Sequence, residues 1–111
     1  MGGLNETEIN AIQELYDKIK EDFSVSKIIL FGSKARNEAT PYSDVDLLIL
    51  SSKKRTREDR RKLSDVSADI NIHYGLALSC SYYNINDWQS GEEINPLFKE
   101  NVEKEGVEIP F

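Results

Sequence analysis

The sequence predicts one α/β domain over residues 1–111, a small mixed sheet flanked by helices. Three observations predict it. A chain of 111 residues holds one hydrophobic core. Two short apolar runs, residues 28–31 and 47–50, read as strands buried on both faces. Around them, apolar residues recur at steps of three and four, which is helical spacing.

The elements follow in order. Asn5 can cap a helix, and Glu8 three residues on completes a capping box. Ile9, Ile12, Leu15, Tyr16, Ile19 and Phe23 form one apolar stripe, so the spacing predicts a helix over 6–22. Ile28-Ile29-Leu30-Phe31 is the first strand, ended by Gly32-Ser33. Residues 34–39 suit a short helix, and 40–43 a turn, since Pro41 disfavours helix in the residue before it. Residues 45–50 are the second strand. Leu63, Val66, Ile70 and Tyr74 then mark a helix stopping at Gly75. Residues 69–74 also alternate as a strand would. Helix is preferred, because a strand there would meet the next with almost no loop. Residues 76–83 read as the third strand. Pro96 fits the first position of a helix capped by Asn95, burying Leu97, Phe98 and Val102 and stopping at Gly106.

Composition narrows the function classes. Fourteen basic against twenty acidic side chains give a net charge of −6, which argues against a general nucleic-acid binder. No apolar run approaches the roughly 20 residues of a spanning helix. The N-terminus lacks a basic start and apolar stretch, and the single cysteine, Cys80, cannot form an internal disulfide. These features point to the cytoplasm. The charge is uneven. Residues 53–62 hold seven basic and two acidic side chains, a local +5, which leaves −11 for the rest. Such a run reads first as a solvated surface, and otherwise as a contact for a triphosphate tail, an RNA or an acidic partner.

The chemistry sits at the centre of the chain. Gly32-Ser33 follows the first strand, and ten residues later Asp44-Val45-Asp46 opens the second. Carboxylates two apart on a strand point to one face, with Cα atoms about 6.5–7 Å apart. So placed, Asp44 and Asp46 can converge on hard divalent cations, and two such ions can clamp a phosphoryl transfer. Glycine allows close backbone approach, and a strand-to-helix turn presents N–H groups to phosphate. Ser33 adds a hydroxyl, and Lys34 or Arg36 can neutralise a phosphate oxygen.

This spacing, with its flanks Phe31-Gly32-Ser33-Lys34-Ala35-Arg36 and Ser43-Asp44-Val45-Asp46-Leu47, resembles the polymerase β nucleotidyltransferase superfamily. The similarity is closest to its minimal, single-domain members, and Lys104-Glu105-Gly106-Val107 resembles the end of one branch. The resemblance implies the polymerase β-like nucleotidyltransferase core. It implies Mg²⁺-dependent transfer of a nucleoside monophosphate, AMP from ATP, to a hydroxyl of a protein or nucleic acid. Gly32, Ser33 and Arg36 would hold the nucleotide, and Asp44 and Asp46 two Mg²⁺ ions. A small helical HEPN-type partner, with this chain as its antitoxin, is also implied, and some members adenylylate a tyrosine of that partner. A homodimer is the other assembly open to such a domain.

Two departures stand out. Asn37 occupies a position where the family often has glycine, and asparagine tolerates left-handed backbone. Catalytic members also carry a third carboxylate on the next strand, and residues 76–83 contain none. Asp69 could supply it if 69–74 were strand. On a helix, Asp65 and Asp69 face solvent. Without a third acid, the alternative is a weakened enzyme acting as a nucleotide- or partner-binding module.

The remaining candidates read more plainly. His73, the only histidine, reads as structural or solvated, and Cys80 as a small core residue. Tyr82, Tyr83 and Trp88 read as buried aromatics before base-stacking ones. Tyr42, beside the turn before Asp44, is better placed for a nucleotide or partner.

Overall fold

The computed structural model describes residues 3–38 and 43–111. The expected turn at 40–43 lies outside them except for Ser43, and Tyr42 lies outside them altogether.

The elements are α1 (Glu6–Ile19), β1 (Val25–Phe31), α2 (Gly32–Ala35), β2 (Val45–Ser51), α3 (Arg57–Tyr74), β3 (Leu78–Asn84), α4 (Ile85–Ser90), α5 (Pro96–Glu105) and β4 (Val107–Glu108). The sheet order is β3-β2-β1-β4. β1 runs antiparallel to β2 and β4, and β2 parallel to β3, so the sheet is mixed as expected. Helices cover both faces.

The local signals explain most boundaries. Asn5 and Glu8 form the full capping box of α1. Gly75 closes α3 in the left-handed conformation at φ 67°, and the 69–74 ambiguity resolves to helix. Asn95 caps α5, with Pro96 at its start. Asn37 adopts φ 59°, the backbone that asparagine tolerates.

Five expectations are corrected. α1 ends at Ile19 rather than at residue 22, and Phe23 reaches the core from the turn that follows. The short helix is a single turn starting at Gly32. The third strand starts at Leu78, because the side chain of Asn71 takes the backbone of Leu78 and holds the preceding segment as a connection. Leu97 is 69% exposed, since α5 turns Val102 inward instead. α4 and β4 were not expected: Asn84 caps α4 within what reads as polar loop, and β4 is only two residues long.

The strands divide two apolar clusters. Ile28, Leu30, Val45, Leu47 and Ile49 face α1 and α3. Ile29, Phe31, Leu48 and Leu50 face the layer of Trp88, Ile94 and Val102. β2 is therefore buried on both faces. β1 is fully buried only at Ile28 and Leu30.

Candidate active site

The site forms where β1 ends and β2 begins. Antiparallel pairing sets Phe31 opposite Asp46, so the turn after Phe31 lies beside that carboxylate. Gly32 has φ +74°, and a methyl group on it would lie 2.3 Å from Asp46 Oδ2. Only glycine satisfies both the backbone and the space.

Side-chain alternation puts Asp46 on the face of Leu48 and Leu50. Asp44 precedes β2 and is exposed, while Asp46 is half-buried. Burial pushes the Asp46 carboxyl above the usual range, the charge of Asp44 adds to this, and Arg36 opposes it. The charge of Asp44 thus reaches Asp46 from just outside β2.

The hard oxygen donors and negative charge of the pair fit a divalent cation. Among the described residues no group of three or more His, Cys, Asp or Glu side chains could hold a metal. β3 sets Ser79 opposite Asp46 and Ser81 opposite Leu48, where a third acid would stand. Asp65 and Asp69 are exposed on α3, which covers the other face of the sheet, so neither joins the pair.

The two basic candidates separate. Lys34 Nζ is buried and lies 2.9 Å from Glu8 Oε2, itself buried. Arg36 is exposed, with Nε 3.1 Å from Glu38 Oε2 and Nη1 2.8 Å from Glu105 Oε2. Ser33 follows Gly32 in the turn, and its carbonyl accepts the Glu38 N–H at 3.0 Å. The sequence reading missed Glu8 as the partner of Lys34, since capping already accounted for it. It also missed Glu105, which lies 69 residues from Arg36.

The nucleotidyltransferase domain family matches residues 12–109, which include the Gly32-Ser33 turn and both aspartates. The chain belongs to this family.

The nucleotidyltransferase domain is 39% identical over 92 residues to the putative protein adenylyltransferase MJ1305 of Methanocaldococcus jannaschii, covering 79% of this chain and 62% of that protein. It is 30% identical over 104 residues to MJ0141 of the same organism, also named a putative protein adenylyltransferase, covering 88% of this chain and 98% of that one. In fold it is similar to a putative minimal nucleotidyltransferase, with TM-score 0.60, 24% identity and coverage of 99% of this chain and 100% of that one. It is likewise similar to a toxin–antitoxin crystal structure with AMP-PNP, with TM-score 0.62, 19% identity and coverage of 95% and 72%.

The remaining residues fall outside the carboxylate site. Trp88 and Tyr82 are core residues. His73 is exposed and packs edge-on against Tyr74. Burial pushes the Cys80 thiol up to about 12.

Proposed function

We propose that this chain transfers AMP from ATP to a hydroxyl of a protein, with Mg²⁺, and acts as the antitoxin of a helical HEPN-type partner. The observation that carries the reading is the 2.3 Å clearance between a methyl on Gly32 and the Asp46 carboxylate. It keeps a bare backbone turn beside two coupled acids. The names of the curated relatives and the likeness to a nucleotide-bound toxin–antitoxin structure support it.

In this reading Asp44 and Asp46 hold the metal. Bound Mg²⁺ would supply Lewis-acid charge to the triphosphate oxygens. Gly32 lets the phosphates approach the backbone, and the Ser33 hydroxyl donates to one of them. Arg36 offers its guanidinium on leaving Glu105. The acceptor oxygen attacks the α-phosphorus, the bond to the bridging oxygen breaks, and pyrophosphate leaves. The serines across from Asp46 and Leu48 offer no carboxylate base, so the acceptor proton passes to water. That favours a phenol, with a pKa of about 10, over an aliphatic hydroxyl. A tyrosine, the acceptor that the family resemblance implies, fits this reading.

The same serines favour a second reading, a partner-binding module with weakened transfer. One experiment separates them. Purified protein is added to host lysate with Mg²⁺ and ATP labelled at the α-phosphate, beside Asp44→Asn. Label on one protein, absent with the variant, supports the transferase. Absence of label with retained Mg-ATP binding supports the module.

A further inference from the structure

The outer edge of β3 is only partly closed. β3 ends the sheet, so among the described residues no strand pairs with one side of its backbone. The Ala77 carbonyl accepts the Val45 N–H at 3.0 Å, so odd-numbered residues turn toward β2 and even-numbered ones outward. Two outward positions are covered. The Leu78 N–H donates to Asn71 Oδ1 at 2.8 Å, and its carbonyl accepts from Asn71 Nδ2 at 3.2 Å, so one side-chain amide imitates a neighbouring peptide. The Tyr82 carbonyl accepts from Arg55 Nη1 at 2.8 Å. Between these caps, the Cys80 N–H, the Cys80 carbonyl and the Tyr82 N–H have no partner among the described residues.

These groups border a groove of about 520 Å³ between β3 and α3. The α3 wall carries Arg60, Ser64 and Ser67, whose short serines leave room for a chain beside the strand. Arg55 lies at one end with its guanidinium 4.7 Å from the centre of the Tyr83 ring. Both arginines belong to the 53–62 run, the positive pole of an otherwise acidic molecule. The groove therefore offers alternating backbone donors and an acceptor under positive charge.

We propose that this edge takes an extended acidic segment of a partner protein as a fifth strand. The segment's backbone pairs with Cys80 and Tyr82, and its carboxylates meet Arg55 and Arg60. The alternation of donors and an acceptor along the edge matches the repeat of a peptide backbone, which a sugar-phosphate backbone does not reproduce. A second copy of β3 would bring two basic runs together, so charge favours an acidic partner over self-pairing.

The test uses the intact chain and a short fluorescent peptide alternating Glu and Val. Binding should weaken by roughly tenfold or more at high salt, with Arg60→Glu, or with proline placed along the peptide. Hydrogen exchange at the Cys80 and Tyr82 amides should slow when the peptide binds. Cys80→Pro removes one of these N–H groups without touching the β2 ladder and should abolish binding. Arg60→Glu, on an exposed side chain, keeps the test valid if that variant fails to fold. No binding, equal binding of the proline-interrupted peptide, or equal binding of a Lys-Val peptide would overturn the proposal. So would a concentration-dependent dimer that protects the same amides without peptide, or tighter binding of single-stranded RNA in the groove. None of these readouts depends on nucleotide transfer.

Discussion

Gly32 and Asp46 meet across the first two strands so closely that a methyl on the glycine would lie 2.3 Å from the aspartate Oδ2. Gly32→Ala adds that clash to a backbone at φ +74°. The strained conformation alone costs about 1–3 kcal/mol. The variant should melt lower and lose measurable ATP binding by calorimetry. A variant that binds Mg-ATP as wild type does would remove Gly32 from the nucleotide site.

Asp46 gives a pH signature. Burial, then Asp44, raises its pKa in the folded state. The stability tied to this group is therefore complete below the unfolded carboxylate pKa and lost as pH rises through the folded one. At neutral pH the charged side chain works against the fold. Asp46→Asn should thus melt above wild type near pH 7 without divalent cations, and the gap should close in acid. Mg²⁺ should raise the wild-type midpoint and leave that of the variant unchanged. Thermal scans across pH, with and without Mg²⁺, decide this. A variant that melts below wild type at neutral pH would contradict it.

Lys34 and Glu8 form a buried pair at 2.9 Å, and Glu8 also accepts the Asn5 N–H at 2.9 Å. Lys34→Met leaves a buried carboxylate unpaired and should cost about 3–5 kcal/mol. Adding Glu8→Gln should recover most of that, since glutamine keeps the capping bond without the charge. Urea unfolding of both variants measures the recovery. Equal instability in the single and double variants would show that the ion pair is not the source.

The half-buried Cys80 thiol, pushed up to about 12 by burial, should react slowly with a disulfide reagent. At about pH 8 the native protein should react much more slowly than the denatured one, because little of the thiol is ionised. Native labelling as fast as in denaturant would show that burial does not hold the thiol protonated.

Much of this molecule is legible where one residue fixes local geometry. Asn5, Gly75 and Asn95 each mark a helix end by a hydrogen bond or a backbone angle, and the elements follow. The turn at Gly32 and the acids at 44 and 46 are legible for the same reason. What escapes is long-range or weakly patterned. β4 is two residues long, held by pairing to β1. Leu97 carries no sign that α5 turns it outward. Glu105 reaches Arg36 only because α5 packs beside the turn. The lack of an acid in residues 76–83 is legible, but which serines face Asp46 and Leu48, and the open edge of β3, cannot be read before the register of β3 is known.

The aromatic contacts behind the turn give this protein an optical handle. Phe31, the residue before Gly32, meets the Phe98 ring edge-on at 5.5 Å, and Phe98 meets Trp88 in the same way at 5.8 Å. Trp88 is the only indole in the chain. Its emission therefore samples the layer of Phe31 and Phe98 behind the Gly32 turn. Native fluorescence therefore offers a dye-free test of whether a nucleotide seats at that turn.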